Sequence, residues 1–175
     1  MSIARYTAVD FPPYSFVPGF APHPVSDPAG HMYGVKHVAP DSLQPENWRG
    51  SEVFLYGVDL FNYHYYWESH EVWESLWIAA RRSGTTADFL KGLIKLAAAA
   101  VKAREGNSSG VVRHTKRAIE LFDVVAASLE QEKNSYCGAN LMQLKTLAGK
   151  FCSQSEDFKT PLPRLELPLS IQLEI

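Results

Sequence analysis

The sequence has little cysteine: two residues in 175, Cys137 and Cys152. Two thiols so placed form neither a disulfide framework nor a zinc-ligand pattern, so unpaired cysteines in a cytoplasmic protein are expected. No apolar run approaches the roughly 18 residues a membrane-spanning helix needs. The start, Met1 to Arg5, lacks the charged-then-apolar pattern of a signal peptide. Net charge is −2, without the basic excess of a protein held to nucleic acid by phosphate neutralisation, so no nucleic-acid partner is expected. There is no Gly-rich phosphate loop, no Gly-x-Ser-x-Gly elbow and no Cys–His nucleophile arrangement. The most informative absence is local. Residues 46–160 contain no proline, whereas eight of the 11 prolines fall in the first 45 residues and three after residue 160.

That distribution divides the chain into a body, 46–160, and two extended flanks, 1–45 and 161–175. At 46% hydrophobic and 21% charged residues the composition is that of a globular protein with one buried core. The N-terminal arm interleaves Phe11, Tyr14, Phe16, Val17 and Phe20 with prolines that forbid helix. So much apolar surface predicts an arm pinned across the body. The C-terminal tail alternates apolar and polar residues from Leu165 to Ile175, which predicts an extended segment that could pair with the arm as two short strands.

Within the body the apolar spacing is helical. It predicts helices over 51–62, about 65–80, from Thr85 through Val101, from about Val111 to Leu129, and over 140–151. Thr85 to Asp88 reads as a capping box with Asp in the glutamate position, and Gly106 with Asn107 breaks the third helix from the fourth. Connections of a few residues make consecutive helices antiparallel. The expected fold is an all-α antiparallel bundle of about five helices, built from stacked helix hairpins. Parts of Leu60–Ser69 and Gly106–Leu121 have the small-residue pattern of helical repeats, but not their period of about 34 residues, so no solenoid is expected.

One constellation carries chemistry. His70, Glu71 and Glu74 lie at i, i+1 and i+4 of the second helix, within roughly 100° of arc. An imidazole with two carboxylates suits Zn, Mn, Fe or Ni, and Glu71 and Glu74 also suit acid–base catalysis. The pattern differs from the His-Glu-x-x-His zinc-protease helix, because Glu74 stands where the second histidine belongs. The same residues read equally as a solvated acidic face with His70 at the edge of the core. In the arm, His23, Asp27 and His31, followed by His37, sit in a proline-fixed segment that could bring His23 or His31 to the same site. They read alternatively as turn residues bonded to backbone. Arg113, His114, Lys116 and Arg117 form a small basic patch, a solvated face or a place to capture a phosphate or carboxylate.

Leu60 to Asn62, the stretch YWESHEVWESLW from Tyr66 to Trp77, FLKGLI from Phe89 to Ile94, and Gly106 with Asn107 resemble the DUF309 family. This is a group of small bacterial and archaeal helical proteins of unknown function, and the resemblance covers about residues 55–125. Its signature of a histidine, a glutamate four residues on and a Trp or Tyr three further corresponds to His70, Glu74 and Trp77. The resemblance implies a divalent metal ion as cofactor, and a metal-dependent hydrolase has been suggested for some members.

The third helix departs from the family pattern. Lys91, Lys95 and Lys102 stand within roughly 40° of one another, where members often carry glutamines and a histidine. These lysines read as a solvated face, or, if they faced His70, Glu71 and Glu74, as groups that would neutralise the acids in a partly buried network; in the second case a further reading opens. The protein would then be a non-catalytic module binding a peptide or partner protein between its helix hairpins. The third helix otherwise offers only Glu105 as a ligand, and His64 reads as a surface residue in a turn that is often glycine. A second copy of the chain, joined through the arm or a helix face, is a further candidate partner.

Overall fold

Each helix of the body begins or ends where a side chain or a left-handed residue releases the backbone. The computed structural model describes residues 4–36, 38–130 and 133–174, so His37 lies outside the described residues. Among the described residues five α-helices follow one another: α1 (Glu52–Asn62), α2 (Tyr66–Ala79), α3 (Thr85–Arg104), α4 (Ser108–Ala127) and α5 (Leu141–Ser153). Ser51, Asn107 and Asn140 cap α1, α4 and α5, each side chain accepting from the backbone N–H three residues on. That satisfies donors the first helical turn leaves open. The expected box at Thr85 does not form. The residue before α3 is Gly84 at φ 88°, and no side chain caps the helix; Thr85 is already inside the first turn.

The helices pack in sequence order, α1 on α2, α2 on α3, α3 on α4 and α4 on α5. Neighbours run antiparallel: Gly92 early in α3 lies under Phe122 late in α4, while Lys102 late in α3 meets Gly110 early in α4. The bundle expected from the sequence is the one observed. Its core joins Phe54, Phe61, Trp73, Phe89, Leu93 and Phe122, all wholly buried. Close approach depends on small residues at two places. A Cβ at Gly57 would lie 2.3 Å from the Trp73 Nε1, and one at Gly92 would lie 2.5 Å from the Phe122 ring.

The arm is laid over α1 and α2 by polar anchors that the helices supply. Asp59, fully buried, accepts from the Tyr6 N–H, the Thr7 N–H and the Thr7 hydroxyl, each at 2.8 Å. Glu68 accepts from the Phe16 N–H at 2.8 Å, and the Tyr56 hydroxyl donates to the Asp10 carbonyl. Arg104 donates to the Ser15 hydroxyl. Phe11 stacks on Tyr65, and Phe16 meets Trp67 edge-on.

The tail does not pair with the arm as strands. Among the described residues the sheet is a two-residue hairpin, β1 (Ser135–Tyr136) with β2 (Ala139–Asn140). The tail touches it through an isolated bridge, Leu173 to Ala139, and through Glu174, which donates its N–H to the Gly138 carbonyl and accepts from the Ser135 hydroxyl. The alternation in the tail has another cause: Leu167, Leu169, Ile171 and Leu173 are buried in the common core while their neighbours face out. Burying one such side chain contributes about 1.5–3 kcal/mol. Ordering the two residues of each repeat costs roughly 2–4 kcal/mol, so side-chain anchors decide the balance. Asn62 supplies a reciprocal pair to Ile171, donating to its carbonyl and accepting from its N–H. Arg104 donates to the Leu165 carbonyl, and the Tyr6 hydroxyl accepts from the Leu173 N–H.

These anchors yield the first prediction. Asp59→Ala removes the acceptor of three arm donors and is expected to cost about 3 kcal/mol in urea unfolding. Limited proteolysis should then cut the variant first within residues 4–20, before the helices. Wild-type resistance of the arm in that variant would show that Asp59 does not hold it.

Candidate metal centre

Helix α2 has two working faces. Tyr66, Glu68, Ser69, Trp73 and Leu76 are buried, and the Ser69 hydroxyl donates to the Gly57 carbonyl on α1. The opposite face carries His70, Glu71 and Glu74, which the structure brings together as the spacing requires. Their ligand atoms all lie within 4.8 Å of one another, and His70 Nδ1 stands 3.2 Å from Glu71 Oε1. Two donors on one ion, each about 2.1 Å from it, are at most about 4.2 Å apart. The observed spread is slightly wider than that, and Glu71, whose side chain is 42% exposed, is the least enclosed of the three. Three donors from a little over one helical turn occupy one side of a cation, and the other side stays open to water or substrate. The set fits a first-row divalent metal.

The arm histidines go elsewhere. His23 accepts through Nδ1 from the Val25 and Ser26 N–H groups, fixing its own turn, and its ring lies edge-on to Phe16 and Trp67. His31 is brought to Glu68, with Nε2 at 3.7 Å from Oε1. Neither His31 Nε2 nor Glu68 Oε2 has a hydrogen-bond partner among the described residues. Burial holds the His31 imidazole below its usual pKa, and burial pushes Glu68 up to about 7. This pair belongs to the arm's seat. His31 meets Glu68, two residues before His70 and on the buried side of α2, and its ring lies edge-on to Tyr14.

His64 is not simply a surface residue. It sits at φ 71° in the α1–α2 turn, the left-handed region that favours glycine, with Nδ1 at 2.9 Å from the Tyr66 hydroxyl. Its carbonyl accepts from Ser15. Glu105 is engaged by Lys102, Nζ to Oε2 at 2.5 Å.

The lysine stripe of α3 flanks the site without closing on it. Lys91 places its ammonium 3.7 Å from the centre of the Trp77 ring, a cation–π contact. Lys95 feels the charge of Glu74 but forms no ion pair with Glu71 or Glu74 among the described residues. Across α3 stands His114 of α4, which in the sequence belongs to the basic patch with Arg113, Lys116 and Arg117. Burial, then the charges of Lys95, Arg113 and Lys102 and finally His70, bring its pKa down to about 4. The antiparallel register was the missing signal: it sets early α4 beside late α3, and so His114 within electrostatic reach of His70.

Residues 54–114 match the model of a family described as a domain of unknown function, DUF309. This bears out the resemblance seen in the sequence, over a segment that stops short of residue 125. The matched segment begins in α1 and ends at His114 in α4, covering about a third of the chain. It contains His70, Glu71 and Glu74, and it leaves out the arm, α5 and the tail. No curated protein matches the chain. Among the described residues no helix is long and apolar enough to cross a membrane.

The electrostatics of this face can be measured. The His114 ring should titrate near pH 4 by NMR, and Lys95→Met should raise that midpoint because one positive neighbour is gone. The fold keeps His114 neutral where an unfolded chain, titrating near 6.5, takes up a proton. The residue therefore penalises folding progressively as pH falls from 6.5 towards 4. A His114 midpoint at 6.5 in the wild type would contradict this placement.

Proposed function

We propose that the protein binds a divalent transition-metal ion through His70, Glu71 and Glu74, and that this centre serves a hydrolytic reaction. The observation that carries the reading is the convergence of the three ligand atoms within 4.8 Å on an accessible helix face. Glu74 and His70, one turn apart and half-buried, are held by the packing of α2 and form the fixed part of the site. Glu71 is the most open of the three and is the group free to exchange between metal ligation and proton transfer. A bound metal would supply Lewis-acid polarisation or activation of a water molecule. In this reading Glu71 or Glu74 accepts the proton that such a water gives up.

The alternative, a non-catalytic interaction module with its acids neutralised by lysines, has weaker support. Lys91 stands on Trp77 and Lys102 pairs with Glu105, so two of the three lysines it requires are engaged elsewhere. The face of α1 and α2 that could receive a peptide is covered by the chain's own arm.

Protein purified without chelator should contain near-stoichiometric metal, or gain thermal stability from Zn, Mn, Ni or Fe. His70→Ala should remain folded and lose at least tenfold in metal affinity. Wild-type protein that is metal-free and unresponsive to all four ions would overturn the proposal.

A further inference from the structure

The face holding His70, Glu71 and Glu74 continues across α3 onto α4, and there its charge reverses. On α3 the outward positions are Lys91, Lys95, Ala98 and Lys102, all half-buried at one-turn intervals. Trp77 carries Lys91, so one turn back along α2 and one turn on along antiparallel α3 set Glu74 next to Lys95. Lys102 packs against Gly110, and the next turn of α4 brings Arg113 and His114 to the same face. The charges agree with this register: Lys95 is pressed by Lys91, Arg113 and Arg117 and drawn by Glu74.

Pairing among these cations is incomplete. Lys102 has Glu105, and Arg117 has Glu120. Lys91, Lys95 and Arg113 have no carboxylate within ion-pair distance among the described residues. Three unneutralised cations side by side, one of them drawn down among apolar helix residues, repel one another unless an anion joins them. Between Lys95 and Lys102 the outward residue of α3 is Ala98, whose side chain is a single methyl group.

We propose that Lys95 and Arg113, with the His114 imidazole beside them, bind a phosphate group of a small-molecule ligand whose other end reaches the His70–Glu71–Glu74 centre. The inference rests on the metal reading for the second half of that statement only. Phosphate fits better than carboxylate on charge. With a divalent ion neutralised by Glu71 and Glu74, three unpaired cations remain, and a dianion offsets two of them where a carboxylate offsets one. Arg113 supplies the forked donors that phosphate oxygens accept. His114, neutral at pH 7, supplies a ring N–H without adding charge. The substrate class that follows is a phosphate ester or a phosphorylated small molecule.

The test is calorimetric titration of inorganic phosphate into full-length protein at low ionic strength, once with chelator and once with one equivalent of Mn, using acetate as the comparison anion. Phosphate is expected to bind both forms, more tightly with Mn because the ion offsets the Glu71 and Glu74 charges beside the site, and at least tenfold more tightly than acetate. Lys95→Met and Arg113→Met should each weaken phosphate tenfold or more while Mn affinity in phosphate-free buffer does not fall. Lys95→Arg should retain binding, which separates charge from packing. His70→Ala should abolish the enhancement by Mn and leave phosphate binding in chelator intact. Failure of phosphate to bind either form, equal binding of acetate, or wild-type affinity in both Met variants would overturn the proposal. Absence of Mn binding in phosphate-free buffer would overturn the metal reading alone, since the chelator titration still reports on the anion.

Discussion

The Asp59 side chain is fully buried on α1, and the groups that satisfy it come from about fifty residues earlier in the chain. A buried polar side chain without partners costs on the order of several kcal/mol, so the helices cannot close over Asp59 unless the arm is in place. The same holds around it. Asn62 takes both its partners from Ile171, and Arg104 is shared between Ser15 and Leu165. Glu68 takes the Phe16 N–H. Four polar side chains of the helical body thus bind the backbone or hydroxyl groups of the two flanks, and arm, body and tail form one cooperative unit. Most of these contacts are to backbone, so they fix the path of the flanks more than their sequence.

This demand also organises α2. Its buried side is spent on the core and on seating the arm, and that is where Glu68 goes. Its open side is left with His70, Glu71 and Glu74, whose contacts are mainly with one another. Two glutamates three residues apart, Glu68 and Glu71, are therefore different chemical objects. Burial pushes the first up to about 7, and the second stands 42% exposed beside an imidazole. A metal or a substrate can reach only the second. The arm histidines divide the same way, His23 closing a turn and His31 completing the seat around Glu68.

Charge on the open side is arranged by antiparallel packing. Acids on α2, lysines on α3 and the Arg113–His114 pair on α4 form adjacent rows, because each short connection returns the next helix beside the last. The middle row could have neutralised the first. It does not, because Trp77 holds Lys91 and Glu105 holds Lys102, leaving Lys95 between the acidic and the basic row.

By itself the sequence determined the number and order of the α-helices, their bounds to within three residues, and the juxtaposition of His70, Glu71 and Glu74. All of these depend on local periodicity, on proline's restriction of φ, or on spacing within one helix. Family likeness was legible for the same reason, since its motifs are local. Other features required the tertiary structure. Tail alternation looked like strand pairing because a half-buried extended segment has the same period of two, whatever supplies its hydrogen bonds. Nothing near Asp59, Asn62 or Arg104 in the chain revealed their partners, which lie some fifty to over one hundred residues away. The lysine stripe could be drawn on one helix, but which way it faced depended on the register of α3 against α2. Likewise His114 acquired a meaning only when α4 was laid against α3. Contacts within a helix are written in spacing; contacts between helices are set by how whole faces pack, and no single segment contains that information.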